Sequence, residues 1–163
     1  MRNMPIMSLA ILVGFVSVSY GDSLGFLATL SGAQEVPGVV TDTIGKCKVK
    51  FNREFSEAQF RLDVGKGMGV TQAHLHCAPA GVNGPVVAFL FPLSTGGVDA
   101  NGKLATGVLT NADIIPTTDN AECGLPEINN IASLAAAMLD GRIYCNVHTL
   151  VNPAGEVRGQ ILE

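Results

Sequence analysis

Short runs in which apolar and polar residues alternate dominate the chain after its first twenty residues. Cys47, Val49 and Phe51 alternate with lysines, and 58–64 repeats the pattern beyond a polar turn. Successive side chains of a strand point to opposite faces, so these runs predict half-buried strands. Further candidates, bounded by glycine, proline or asparagine turns, lie at 26–30, 72–77, 86–91, 104–109, 143–150 and 157–162. The pattern predicts an all-β protein, an antiparallel β-sandwich with Greek-key or immunoglobulin-like crossings.

One segment has the period of a helix instead. Ile131, Leu134, Ala135 and Met138 fall at i, i+3, i+4 and i+7, and Gly141 follows the last of them. An asparagine at 129 or 130 is available as the N-cap. We expect one short helix near 130–140, which depends on packing against the sheet because it is too short to be stable alone.

The first 21 residues have the pattern of a secretory signal peptide. Arg2 gives a basic start, 6–18 is an apolar run short for a bilayer span, and Ser19 and Gly21 are small residues where a signal peptidase cuts. An uncleaved anchor is the alternative. We expect 1–21 to be removed and 22–163 to form one secreted, extracellular domain, periplasmic in a Gram-negative bacterium. No later segment is apolar enough to span a membrane.

Composition narrows the classes of partner. Charged residues make up 15% of the chain and the net charge is −4, without a long block of one sign. Nucleic-acid binding requires a basic footprint, so this class is disfavoured. Lys46, Lys48 and Lys50 do share one face of a predicted strand. Such a row fits an anionic partner, but it is more commonly a solvated face or a protected sheet edge.

Three histidines are the candidate chemistry. His74 and His76 are two residues apart on a predicted strand, so both imidazoles point to one side, and His148 lies on another strand. Three neutral imidazoles can bind Cu²⁺ or Zn²⁺, with Glu156 as an oxygen ligand or second-shell acceptor. In the alternative, the imidazoles are structural and bind backbone groups of the 81–85 loop.

The hairpin at 152–155 bears on this choice. An odd loop length places His148 opposite Arg158 and Asn146 opposite Gln160, which keeps polar residues on one face. A fixed cation opposite His148 would repel a metal ion. The predicted register therefore counts against the metal.

Four cysteines in an exported chain indicate two disulfides, with three pairings open. Cys47 and Cys145 lie on the predicted core face of two strands, whereas Cys77 ends a strand and Cys123 lies in a polar loop. We favour Cys47–Cys145 with Cys77–Cys123. The competing arrangement joins Cys77 to Cys145, which share a face.

Several motifs together resemble a known family. They are Leu30-Ser-Gly-Ala-Gln-Glu-Val-Pro37, Ala73-His-Leu-His76, Gly81-Val-Asn-Gly-Pro-Val-Val87, Asn146-Val-His-Thr149 and Asn152-Pro-Ala-Gly-Glu-Val-Arg-Gly-Gln-Ile161. In this order they are similar to the CHRD (chordin) domain family. The resemblance implies an all-β extracellular domain, which in animals is repeated in chordin, an antagonist of bone morphogenetic proteins, and in microbes often stands alone behind a signal peptide. Cys47 and Cys145 depart from the family pattern, which has small or apolar residues there.

The family carries no established catalytic activity, and the chain has no nucleophile elbow or activated thiol. We therefore expect a non-catalytic binding module whose partner is an extracellular protein, a polysaccharide or another copy of itself. A histidine-based Cu or Zn protein is the alternative. A metal-dependent redox or hydrolytic enzyme is the third hypothesis, since a catalytic site also needs a convergent nucleophile, base and pocket.

Overall fold

The computed structural model describes residues 23–118 and 121–163, so the predicted signal peptide lies outside the described residues. These ranges form nine strands and one α-helix, with single 3₁₀ turns at Gly32–Gln34 and Asn111–Asp113. The elements are β1 Gly25–Ser31, β2 Ile44–Phe51, β3 Ala58–Cys77, β4 Val86–Phe91, β5 Val98–Leu109, β6 Thr117–Thr118, β7 Glu127–Ile128, α1 Ile131–Leu139, β8 Ile143–Thr149 and β9 Val157–Gln160.

Five of the strands close into a ring. The order β2-β1-β9-β8-β3 is completed by pairing of β3 with β2, and every pair is antiparallel. β4 and β5 add to β3 outside the ring, and β6 and β7 form a separate two-stranded sheet. The all-β antiparallel class is confirmed. The predicted sandwich is wrong in one respect. The seven longer strands belong to a single sheet, five strands of which close into a barrel, and do not form two packed sheets.

The closure depends on the length of β3. Its first half pairs with β2 and β5, and its second half pairs with β8 and β4. The alternating sequence pattern breaks at the glycine-rich segment 65–69, yet the strand continues through 20 residues. Lys66 and Gly69 have positive φ there, and the register with β5 shifts twice. The irregular segment therefore bends one strand instead of ending it.

The core fills the ring and the side covered by α1. Leu30, Leu62, Leu75 and Val147 are fully buried inside it. The helix was predicted correctly: the Asn130 side chain accepts from Ser133 N at its start, and Gly141 follows with φ +64°. Its apolar face is buried, as its dependence on packing requires. Within the described ranges, no helix has the length and apolar character of a membrane span.

One of the two predicted disulfides is present. Cys77 is bonded to Cys123, which ties the end of β3 to the 121–126 loop and excludes the competing Cys77–Cys145 pair. Cys47 and Cys145 are fully buried in the core as free thiols, so the predicted Cys47–Cys145 bridge is not formed in this structure. Burial, together with the hydrogen-bonded thiol of Cys47, raises the pKa of Cys145 well above its usual value.

Candidate metal centre

Three adjacent strands assemble the histidines. β3, β8 and β9 lie side by side, and alternate residues point to the face opposite the core. His74 pairs with Asn146, His76 with Tyr144, and Gln72 with His148. The two histidines of β3 therefore face the third histidine across one strand boundary, as the spacing predicted.

Loops cover this face and bury the imidazoles. His74 is 4% exposed, His76 9% and His148 7%. The Phe89 ring of β4 lies edge-on to His74 with centroids 4.6 Å apart, and the 78–85 loop covers His76. Buried polar groups require partners, so a ring nitrogen without one points to a missing ligand or proton donor.

Two of the rings have their hydrogen fixed on Nδ1. His76 Nδ1 lies 2.9 Å from the Gly84 carbonyl, and His148 Nδ1 lies 2.9 Å from the Pro153 carbonyl. A carbonyl only accepts, so each Nδ1 must donate. In the neutral ring this leaves a lone pair on Nε2 of both His76 and His148.

The free nitrogens converge. His74 Nδ1 lies 3.1 Å from His148 Nε2, and one nitrogen from each of the three rings falls within 4.8 Å of the others. The Nε2 atoms of His74 and His76 are buried without a hydrogen-bond partner among the described residues. Asn146 Oδ1 lies 3.1 Å from His148 Nε2. Two acceptors facing each other require either a cation between them or the amide nitrogen in place of the oxygen.

All three imidazoles are held in the neutral form. Burial, with smaller contributions from His148 and His76, lowers the pKa of His74 to about 3. Burial also lowers the pKa of His76 to about 4, against the hydrogen bond to Gly84, and lowers the pKa of His148. Neutral imidazole is the form that binds metal ions, so no proton must leave a histidine first near neutral pH.

Arg158 does not occupy the predicted place. It pairs with Asn146 instead of His148, because the β8–β9 register differs from the predicted one by two residues. A shift of two leaves Arg158 on the predicted face of the sheet but changes the residue opposite it. Its guanidinium is buried, lies 3.5 Å from the centroid of the Tyr144 ring, and donates to Asn83 and Pro79. Tyr144 also stacks on His76 at 4.8 Å. The Tyr144 ring therefore contacts both Arg158 and His76, and the charge of Arg158 still contributes to lowering the pKa of His76.

Glu156 does not have the predicted role either. One of its oxygens accepts from Thr41, and the other accepts from Thr149 and Asn152. Burial raises its pKa, but these hydrogen bonds outweigh burial and the pKa lies below its usual value. The groups that accept hydrogen bonds from the imidazoles are instead the backbone carbonyls of Gly84 and Pro153. Glu156 contributes indirectly, because it orders the loop that presents Pro153.

The comparisons with known proteins agree with the motif pattern. A sequence model of the CHRD domain matches residues 26–161, nearly the whole of the described chain. The chain belongs to the CHRD domain family. No curated protein and no solved structure matches it. The matched span of this CHRD domain includes the three histidines and all four cysteines.

Sequence reasoning missed several residues around this centre of the CHRD domain. Asn146 was placed on the same face as His148 but not assigned to the site, and Tyr144 lies two residues before it, so the same alternation could also have placed Tyr144. Phe89 depends on the irregular pairing of β3 with β4, which no local pattern encodes. The Gly84 and Pro153 carbonyls are backbone atoms, and residue type does not reveal where they point.

Proposed function

We propose that this CHRD-domain protein binds one transition-metal ion through His74, His76 and His148. The observation that carries the proposal is the position of two backbone carbonyls, each 2.9 Å from the Nδ1 of a histidine. They place the hydrogen of His76 and His148 on Nδ1 and the lone pair on Nε2. Within the described part of the chain, this Nε2 has no partner in His76 and faces His74 Nδ1 in His148. In known metal sites, the second nitrogen of a ligating histidine is oriented in the same way by a carbonyl or carboxylate.

The nitrogens of His74 and His148 fit a common metal ion, and the third imidazole must move inward to join them where a separation exceeds the about 4.1 Å that two ligands of one ion can span. Two nitrogens 3.1 Å apart, each about 2.05 Å from a common ion, subtend an angle of about 100° at that ion. This lies between the angles of square-planar and tetrahedral coordination. An ion between His74 and His148 requires the hydrogen of the neutral His74 ring to be on Nε2 instead of Nδ1.

Ligand chemistry narrows the metal to copper or zinc. Imidazole nitrogen suits both, and Cu²⁺ binds a given nitrogen site more tightly than Zn²⁺. Calcium and magnesium are disfavoured because they require oxygen ligands, and the three candidate ligands are all nitrogen donors. We therefore expect Cu²⁺ to bind more tightly than Zn²⁺.

The proposal includes secretion and the absence of turnover. The Cys77–Cys123 disulfide supports an oxidising compartment, which agrees with the predicted signal peptide. The hydrogen-bond partners of the histidines are backbone carbonyls, an amide and one another, and none of them is a nucleophile. A metal-binding extracellular module thus has more support than a hydrolase.

Direct titration tests the proposal. Purified protein is titrated calorimetrically with Cu²⁺ and with Zn²⁺, beside the triple variant His74→Ala/His76→Ala/His148→Ala and the control Gln72→Ala. Gln72 is on the same face of β3 and pairs with His148, but it is not a candidate ligand. We expect one tight site in the wild type and in the control, and its loss in the triple variant. Metal content after dialysis supplies the stoichiometry.

Equal affinity in wild type and triple variant would exclude the metal site. The interaction module would then be the better description of the protein. A pull-down from the extracellular fraction addresses that function separately, because the loops and outer strands that contact partners are distinct from the buried histidines.

A further inference from the structure

The lysines of β2 do not protect a sheet edge. β2 is hydrogen-bonded along its length to β1 on one side and to β3 on the other. Lys46, Lys48 and Lys50 are exposed on its outward face. Since an interior strand has no free edge to protect, one of the two structural explanations for this row is removed.

Neighbouring strands extend the row into a cationic face. Arg61 of β3 pairs with Lys48, and Lys103 of β5 pairs with Asp63. We define the basic face as Lys46, Lys48, Lys50, Arg61 and Lys103. It contains five of the ten cationic residues of a chain whose net charge is −4. Asp63, bonded to Arg61 at 2.6 and 2.7 Å, is the acidic group within it.

One pairing in this basic face works against folding, although Lys46 and Lys103 each lie opposite Asp63. Like charges directly opposite each other on paired strands are destabilising, and Lys48 lies directly opposite Arg61. A merely solvated face gains nothing from that juxtaposition. The concentration of positive charge instead favours an anionic partner.

The face also has a suitable shape. A groove of about 400 Å³ runs beside the lysine row, lined by Lys48, Lys50 and Arg61 together with Gln59 and Thr106. Its lining includes no carboxylate. By contrast, Glu163 lines the groove on the β1 side of the row, and Glu57 shares a pocket with Lys50. The groove toward β3 and β5 is therefore the one of these whose lining charges are all positive.

We propose that this groove binds an acidic polysaccharide, a chain of sugars bearing carboxylate or sulfate groups. The cations neutralise its acidic groups, and the Gln59 amide and the Thr106 hydroxyl can hydrogen-bond its sugar hydroxyls. A membrane fits less well, because a bilayer presents a broad, flat surface, whereas a groove between strands accommodates a narrow chain. Single-stranded nucleic acid fits less well, because the groove lining has no exposed aromatic platform: its one aromatic residue, Phe60, is buried.

A pair of charge reversals provides the test. Lys48→Glu reverses a charge in the groove, and Lys66→Glu makes the same change outside it, at a lysine paired with Asp42. Binding of a fluorescent oligogalacturonate is followed by anisotropy, with labelled neutral dextran, phosphatidylglycerol vesicles and single-stranded DNA in parallel. We expect Lys48→Glu to weaken oligogalacturonate binding at least about fivefold and Lys66→Glu to change it less than about twofold. Added salt should weaken binding because the groups are exposed.

Stability measurements separate binding from folding. Lys48→Glu places a carboxylate opposite Arg61, so the variant should unfold at no lower urea concentration than the wild type. Weaker oligogalacturonate binding by a protein of undiminished stability supports the proposal. Absence of binding, equal effects of the two substitutions, or tighter binding of dextran, vesicles or DNA than of oligogalacturonate would overturn it. Because the groove lining contains no histidine, loss of metal binding in the histidine variants does not affect this outcome.

Discussion

At the scale of single residues, the histidine cluster depends on hydrogen bonds that residue types do not display. The imidazole of His76 would be an ordinary buried histidine if Gly84 did not accept its Nδ1 hydrogen. The same holds for His148 and Pro153. Because these acceptors leave each Nε2 without a hydrogen, the backbone of two loops sets the chemistry of the side chains.

Gly84 provides the sharpest test of that dependence. A Cβ atom at this position would lie 1.9 Å from the Cys77 carbonyl oxygen, so the loop must move if any side chain is added. We expect Gly84→Ala to weaken metal binding about 10–100-fold, although it removes no ligand, because the acceptor of His76 Nδ1 is displaced. Calorimetric titration with Cu²⁺ measures the effect. Gly96→Ala is the control, since a Cβ there meets open space; equal losses in both variants would contradict the argument.

The depressed histidine pKa values also predict how stability depends on pH. Folded His74 and His76 titrate at about 3 and about 4, whereas an unfolded histidine titrates near 6.5. The unfolded chain therefore binds more protons between these values, and stability is full above about pH 6.5 and is lost as pH falls toward 4. We expect these two groups to lower the free energy of unfolding by about 2 kcal/mol or more between pH 7 and pH 5. Urea unfolding of the metal-free protein measures it, and a larger pH dependence in the triple histidine variant would contradict it.

Glu35 has the opposite effect on how stability depends on pH in the same range. Burial, reinforced by Glu156 and opposed by Arg158, raises its pKa from 4.5 to about 7. The folded chain holds this proton longer than the unfolded chain, so the stability from Glu35 is present below about pH 4.5 and is lost as pH rises through 7. We expect Glu35→Gln to gain stability relative to the wild type as pH rises from 5 to 8. The exposed substitution Glu57→Gln is the control; a constant difference between Glu35→Gln and wild type would disprove the effect.

At the scale of elements, local pattern was a reliable guide to strands and a weaker guide to their connections. The alternation in β2 and the first half of β3 placed every core residue correctly. The alternation breaks at 65–69, but pairing on both sides of β3 continues the strand through this segment. The predicted β8–β9 register was wrong by two residues for a related reason. Alternation fixes which face a residue occupies but not which residue it meets, and Glu156 hydrogen bonds rather than loop length set the turn.

The cysteines lie on different elements, and a count of free thiols tests which of them are bonded. In the absence of reductant, denatured protein should contain two reactive thiols per chain, from Cys47 and Cys145. Four thiols would exclude the Cys77–Cys123 bridge, and none would show that Cys47 and Cys145 are also in disulfides. Removing the bridge with Cys77→Ala/Cys123→Ala should lower the free energy of unfolding by about 2–4 kcal/mol, because it closes a loop of 46 residues. Cys47→Ala/Cys145→Ala is the control for lost side-chain volume.

At the scale of the whole molecule, the closed ring explains how one small domain can hold both the histidine cluster and the basic face. The ring places the core on its inside, the histidines on a loop-covered outer face of β3 and β8, and the lysines on an open outer face of β2. The long bent β3 contributes to all three regions. Since closure requires β1 and β9 to connect β2 with β8, binding at the histidines and the stability of the entire barrel should be thermodynamically linked.

That linkage gives a prediction for the whole chain. An ion that binds the folded protein alone stabilises it by about 2.7 kcal/mol when its free concentration is 100 times its Kd. We therefore expect the unfolding temperature to rise as Cu²⁺ or Zn²⁺ is added, in the order of their affinities, and to return when a chelator removes the metal. His74, His76 and His148 come from both sides of the β3–β8 boundary, so an ion that joins them opposes separation of these strands. The triple histidine variant should show no rise, whereas Gln72→Ala should match the wild type. A metal-dependent increase that survives in the triple variant would assign the stabilising ion to other residues.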